Sequence, residues 1–326
     1  FVLAATLLIF LYANNKLKSS LMISLFGILF LADLLPVAKR YLNDDNFARK
    51  RKIETLIEPS NADKMILQDK TEYRVLDASV NIFNDAKPSY FHKNIGGYHA
   101  AKLRRYQELI NMQIEGEIGQ LFGAFGKAQT FEQITPTLDS LGVLNMLNMK
   151  YVIYNKDAAP LVNPYANGNV WFVKNVKVAA DANEEMMLVG KIDTKNEVVV
   201  DKAFAAQLPA KLTPDSSAHI ALISYKPNHL VYSFDSKTDQ LAVFSEIYYD
   251  KGWNAYVDGK KMDYIRANYL LRAMPLHSGK YEIEFKFEPA SYRIGNIIAL
   301  TSSVLLVLSL LAFALVQVKK RKQQIN

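Results

Sequence analysis

The chain has 326 residues, a formal net charge of +7 and no cysteine, and half of its residues are hydrophobic. That length suits about two domains of roughly 100–200 residues, and the apolar content excludes a disordered chain. The lack of cysteine excludes a disulfide framework, a thiolate metal site and a cysteine nucleophile. A basic excess points to nucleic acid unless the charges are segregated along the chain.

The chain opens on an apolar run from Phe1 to Ala13 with no basic segment before it and no small-residue cleavage site after it. It does not read as a signal peptide and is expected to be the tail of a spanning helix whose start lies upstream. A second apolar run, Leu21 to Val37, carries Asp33 and closes at Pro36. At ~1.5 Å per residue it just crosses a ~30 Å hydrocarbon core. The third, Ile294 to Val318, is uncharged and followed by Lys319-Lys320-Arg321-Lys322, and reads as a transmembrane helix.

Three spans put Asn14–Ser20 and Lys319–Asn326 on one side and Ala38–Arg293 on the other. Near the span ends, Lys16, Lys18 and the four-residue cluster face Lys39, Arg40, Arg49, Lys50, Arg51, Lys52 and Arg293, close to a tie. Long segments translocate largely regardless of charge, so the short flanks are assigned to the cytoplasm and the middle to the outside. The remaining 33 of 39 basic residues then meet all 32 acidic ones, leaving the outer part at +1. A nearly neutral domain has no electrostatic footprint for nucleic acid. The excess at Lys39–Lys52 is expected to meet lipid headgroups instead.

Outside the spans, Ser60 is placed as the N-cap of a helix over Asn61–Lys70, followed by a strand at Tyr73–Asp77. After the Gly96-Gly97 break, Tyr98, Ala101, Leu103, Tyr106, Leu109, Ile110 and Ile114 recur at helical spacing. Leu138–Leu147 reads as a helix, Lys150–Tyr154 and Val170–Val173 as strands around a Pro160…Pro164 turn. Asp181 opens a helix over Ala182–Leu188, and Val198–Val200 is a strand. The pattern after Pro214 is all-β, with strands at Ala218–Tyr225, Leu230–Asp235, Leu241–Tyr249, Asn254–Val257, Met262–Ala267, Leu270–Pro275 and Tyr281–Phe287. Asp258-Gly259 is a hairpin signal, and the strict alternation of Tyr281–Phe287 predicts one buried and one wet face. Seven such strands predict a β-sandwich. The last runs almost directly into the third span, which places the sandwich near the bilayer.

No P-loop, dinucleotide fingerprint, HExxH or GxSxG occurs. Gly116, Gly119, Gly123 and Gly126 are spread over a flexible stretch with no preceding strand, which argues against a phosphate cradle. His92 and His99 flank the glycine break near Asp85, and a metal site there requires a third ligand. The plainer reading makes them polar groups bonded to backbone. The stretch Ser89–Tyr106, with Tyr90, His92, Lys93, Tyr98, His99, Lys102, Arg104, Arg105 and Tyr106, has the composition of a glycan- or phosphate-binding surface. Its alternative is an exposed basic helix face backed by Tyr98 and Leu103 in the core. Asp33 is an intramembrane charge, functional by default or else snorkelling toward Lys39 or Arg40. Trp253, with Tyr248, Tyr249 and Tyr256, reads as core or membrane anchor, or as a sugar-stacking platform.

The strings Gly252-Trp-Asn-Ala-Tyr-Val-Asp-Gly259, Ala267-Asn-Tyr269, Arg272-Ala273 and Gly279-Lys-Tyr-Glu-Ile-Glu-Phe-Lys-Phe-Glu-Pro289 before a final span resemble the carboxy-terminal end of the bacterial YfhO membrane-protein family. Gly97-Tyr98…Arg105-Tyr106 and Met149–Ile153, followed by Asn163-Pro164 and Trp171–Val173, resemble it as well. The family is similar to polytopic GT-C-type glycosyltransferases, which implies transfer of a sugar from a polyprenyl-phosphate carrier to an envelope glycan outside the cytoplasm. The catalytic acid of such enzymes lies in an early extracytoplasmic loop without counterpart in this sequence, so no catalytic residue is carried over.

The expectation is a multi-pass α+β protein of the bacterial cytoplasmic (inner) membrane with a large extracytoplasmic domain. Two spans (1–37) precede a mixed α/β module (38–215) and a membrane-proximal β-sandwich (216–292). A third span (293–318) and a basic cytoplasmic tail (319–326) follow. The implied role is acceptor or sugar recognition by Tyr90, His92, Tyr98, His99, Arg104, Arg105, Tyr106 and Trp253, with Asp33 and Arg40 at the membrane interface. No metal, cofactor or nucleic acid is expected. The alternative is a non-catalytic, membrane-anchored glycan-binding or scaffold protein.

Overall fold

A computed structural model describes residues 1–47, 57–209, 211–213 and 215–325, with side chains through Lys320. Arg49, Lys50, Arg51, Lys52 and Pro214 lie outside the described residues, as do the side chains of Arg321 and Lys322. The chain divides into two compact units, Phe1–Glu58 and Pro59–Asn326.

The first unit is built on α1 (Val2–Ala13) and α2 (Ser19–Tyr41). Neither helix buries a side chain. The 12 residues of α1 extend only about 18 Å, whereas α2 is long and apolar enough to cross a membrane. Pro36 does not end α2, which continues to Tyr41. A proline inside a helix removes a single backbone donor, and the ladder resumes beyond it.

The second unit begins with α3 (Asn61–Ile66), β1 (Arg74–Asp77) and α4 (Arg104–Leu109). A π-helical turn, Ile110–Ile114, joins α4 to α5 (Glu115–Phe125). There follow α6 (Thr135–Ser140), α7 (Gly142–Met146), β2 (Met149–Ile153), β3 (Leu161–Val162), β4 (Val170–Phe172), β5 (Asn175–Ala179), α8 (Ala182–Val189) and β6 (Glu197–Asp201). Next come β7 (His219–Lys226), β8 (His229–Ser236), β9 (Gln240–Ile247), β10 (Trp253–Val257), β11 (Lys260–Met262), β12 (Ile265–Ala267), β13 (Leu271–Leu276), β14 (Gly279–Phe287) and the long helix α9 (Ala290–Ile325). The fold is α+β with mixed sheets, and α9 is the second helix long and apolar enough to span a bilayer.

Local chemistry explains the helix starts. Ser60 Oγ accepts the Asp63 N–H at 3.2 Å while Asp63 Oδ2 accepts the Ser60 N–H at 2.8 Å, a reciprocal cap. Asp181 Oδ1 accepts the N–H groups of Asn183 and Glu184, both at 2.9 Å. The glycine-rich stretch read above as flexible is instead helix α5, where Gly116, Gly119 and Gly123 have open space around their Cα atoms.

A three-stranded sheet runs β1-β2-β3, and β5 and β6 pair in parallel across α8. An antiparallel sheet of order β12-β13-β9-β4 lies between two hydrophobic clusters. From it, Trp171, Leu241, Val243, Ile265, Ala267, Leu271 and Ala273 join the cluster built on α4–α8, β2 and β6. Ala242, Phe244, Met274 and Leu276 join the other, shared with the five-stranded sheet β11-β10-β14-β8-β7. Burial on both faces is why Leu241–Phe244 reads as an unbroken apolar run, while β14, wet on one side, alternates.

Candidate functional site

The basic aromatic stretch is placed by its two glycines. A Cβ on Gly96 would sit 1.9 Å from the Ile82 carbonyl oxygen, and Gly97 has φ +94° with its N–H donating to that same oxygen at 2.6 Å. Only glycine fits so close an approach. The helix starts at Arg104 rather than Tyr98. Tyr98 and Leu103 therefore lie outside the core, Tyr98 being 63% exposed.

Three consecutive residues then diverge. The Arg104 side chain stands in solvent and pairs with Glu108 at 2.8 Å, one turn on. Arg105 turns inward, its guanidinium 4.6 Å from the centroid of the Tyr269 ring. Tyr106 donates its hydroxyl to the Ile95 carbonyl at 2.6 Å, and burial pushes its phenol up to about 12.

Around Tyr269 lies a buried charge network. Glu185 of α8, fully buried, accepts the Tyr269 N–H at 2.9 Å. Arg266 Nη2 lies 3.4 Å from both Glu185 Oε2 and Asp201 Oδ2. Burial pushes the Glu185 carboxyl up, opposed by the Arg266 cation. The Tyr269 hydroxyl donates to Glu108, and that bond, with the one from Arg104, holds Glu108 below the usual carboxylate range. Asn268 and Tyr269 both have left-handed backbones, φ +47° and +67°, uncommon for a bulky residue. Asn268 is fixed there by Val199, which accepts its N–H and donates to its Oδ1, both at 2.8 Å. Arg105 Nη1, Arg266 Nε and Asn268 Nδ2 are buried without a hydrogen-bond partner among the described residues. The cluster thus sets three carboxylates, Glu108, Glu185 and Asp201, beside the guanidinium groups of Arg105 and Arg266, with three spare donors among them. The adjoining π-helical turn is a type of irregularity frequent at functional sites.

The other expected residues do not converge here. Tyr90 is exposed. His92 is buried, its Nε2 2.8 Å from Asp63 Oδ1, where it backs the cap of α3. His99 is exposed and its Nδ1 accepts the Ala101 N–H at 3.1 Å. Among the described residues no three His, Asp or Glu side chains are grouped to hold a metal. Lys93 bonds Glu72 and covers the Tyr225 ring, and Lys102 lies 5.7 Å from the Phe83 ring. Trp253 lies 4.2 Å from the guanidinium of Arg272, which is 2% exposed and also faces Phe285. That face of the indole is occupied by protein, while Tyr256 bonds Glu288 at 2.8 Å. Asp33 and Arg40 are exposed on α2 with no ion pair between them, nor between Asp33 and Lys39.

Glu185 and Arg266 were legible only as polar residues of a helix and a strand. Glu184-Glu185 looks like a wet face, and no spacing distinguishes the inward carboxylate. Glu117, whose two oxygens accept the Val143 and Leu144 N–H groups at 2.8 Å across the start of α7, was equally silent.

The upstream resembling stretch is tied together separately. Asn163 Nδ2 donates to Asn145 Oδ1 at 2.7 Å and to the Met149 carbonyl at 2.8 Å, and Trp171 Nε1 donates to the Thr194 carbonyl at 3.0 Å. Asn145, Asn167 and Thr194 floor a polar cleft of about 400 Å³.

No curated protein and no solved structure matches the chain. Residues 194–299 match the family model described as bacterial membrane protein YfhO, a span that holds Arg266, Asn268, Tyr269, Arg272 and the start of α9. The resemblance read from the sequence is borne out over those residues, where the chain is similar to the bacterial membrane protein YfhO family.

Proposed function

We propose that the second unit is the extracytoplasmic, membrane-anchored recognition part of a YfhO-like glycosyltransferase, multi-pass in the bacterial cytoplasmic membrane. In this reading α1 belongs to a third span, the two antiparallel sheets form a membrane-proximal β-sandwich, and the mixed module before it completes the outer domain. The chain binds an acceptor glycan or polyprenyl-phosphate sugar, and chemistry belongs to residues outside it. The observation that carries this reading is the stacking of Arg105 on Tyr269. It brings the basic aromatic stretch onto the family-matched region, at a cluster with three unused buried donors.

The test is envelope glycosylation by the full-length protein. Arg104→Ala, which removes a solvent-facing cation with little effect on packing, and Arg105→Lys, which keeps charge but loses the planar fork, are each expected to reduce glycan modification severalfold at unchanged protein level. Unchanged modification in both removes this surface from the reading. A scaffold reading is favoured by the commitment of the carboxylates around Tyr269 to internal partners, Glu185 to the Tyr269 N–H and Arg266, Asp201 to Arg266 and Glu108 to the Tyr269 hydroxyl and Arg104. Normal glycosylation in a strain lacking the whole gene supports the scaffold.

A further inference from the structure

Strand β14 passes into α9 through only Glu288 and Pro289, and the joint is clamped. The Glu288 N–H donates to the Gly252 carbonyl at 2.7 Å, and Glu288 Oε2 accepts from Tyr256 Oη at 2.8 Å and Asn254 Nδ2 at 3.1 Å. A Cβ on Gly252 would meet the Phe287 ring at 2.8 Å and Pro289 at 3.0 Å, so the β9–β10 turn is packed directly on the joint. A cleft of about 480 Å³ opens there, lined by Phe287, Glu288, Pro289, Ala290, Tyr292 and Arg293.

The uncharged part of α9 begins at Ile294. From Ala290 to Ile294 is only about 6 Å of helix rise. The headgroup layer is roughly 5–7 Å thick on each side of the hydrocarbon. If α9 crosses the bilayer, the cleft therefore lies among headgroups. Its lining carries one anion, Glu288, one cation, Arg293, and two aromatic side chains, Phe287 and Tyr292. Tyr256 and Asn254 hold the Glu288 carboxyl below its ordinary range.

We propose that this cleft binds the headgroup of a zwitterionic phospholipid, with the lipid ammonium against Glu288 and the aromatic faces and the phosphate on Arg293. An anionic headgroup without an amine leaves Glu288 opposed to like charge. The site rests on the reading of α9 as a span and is additional to glycan recognition.

The test uses the chain purified in detergent and native mass spectrometry with equimolar phosphatidylethanolamine and phosphatidylglycerol of matched acyl chains. The expected result is at least a threefold excess of phosphatidylethanolamine adducts, falling to parity in Glu288→Gln and in Arg293→Gln and retained in Arg293→Lys. Parity or a phosphatidylglycerol excess in the unsubstituted chain overturns the proposal, as does a preference that survives in either glutamine variant. A spin label at Ser309→Cys in the cysteine-free chain separates the two levels. A label in water overturns the span itself, and with it this site. A label in lipid together with headgroup parity overturns the site alone.

Discussion

The guanidinium of Arg105 lies 4.6 Å from the centre of the Tyr269 ring, whose own hydroxyl is bonded to Glu108 on the helix that carries Arg105. One turn of α4 thus grips both the face and the tip of a tyrosine whose backbone is left-handed. A partly buried cation–π contact contributes on the order of 1 kcal/mol. A double-mutant cycle with Arg105→Ala and Tyr269→Leu, read by thermal unfolding in detergent, is expected to give a coupling of about that size. Coupling near zero removes the contact from the account.

Glu185 allows a sharper test. Removing it leaves the buried Tyr269 N–H without an acceptor and Arg266 with Asp201 alone, and a buried group left unsatisfied costs about 1–3 kcal/mol. Glu185→Ala is expected to destabilise the chain by that order, and Glu185→Gln, which keeps an acceptor for the Tyr269 N–H, by less. An unfolding temperature for Glu185→Ala within a degree or two of the parent contradicts the network.

Glu117 predicts a pH dependence. Burial pushes its carboxyl up to about 7 from an ordinary 4.5, although the Val143 and Leu144 N–H groups pull it down. Between those values the folded chain holds more protons at this site than the unfolded chain, so this contribution to stability falls as pH rises through about 7. Glu117→Gln is expected to flatten the fall in unfolding temperature between pH 5.5 and 8. An unaltered slope assigns the dependence elsewhere.

Two glycines separate strain from crowding. Gly259 has φ +77° with open space beyond its Cα, whereas Gly252 has φ +133° and faces Phe287 and Pro289. Gly259→Ala is expected to cost about 1 kcal/mol from backbone strain alone, and Gly252→Ala at least twice that. Equal losses in thermal unfolding mean the joint is looser than described.

Residues whose surroundings are local in sequence were the readable ones. Ser60 and Asp181 act on N–H groups within three residues, and the Asp258-Gly259 hairpin joins β10 to β11 as its turn chemistry demands. The predicted strand Met262–Ala267 divides into β11 and β12, which belong to different sheets, because Asp263 and Tyr264 carry the chain from one sheet to the other. What stayed silent depends on distant partners. Tyr269 takes a left-handed backbone because Glu185 holds its N–H and Val199 brackets Asn268, and neither partner is marked by spacing. Tyr98 fits a helical period yet lies before the helix, which begins only at Arg104, and follows a Gly97 whose left-handed φ of +94° is not helical.

The sheet buried on both faces also sets an order of events during synthesis. Trp171 and its neighbours in β4 emerge from the ribosome well before their partners in β9, and the Val199 N–H waits for Asn268 to arrive. Until β9 is out, β4 has no partner strand, and until β13 is out the sheet that joins the two apolar clusters is incomplete. Non-local pairing of this kind is slow and leaves unpaired strand surface at risk of association. Nascent chains halted before residue 276 should therefore be the ones most dependent on chaperones, and chains halted after it the first to resist protease.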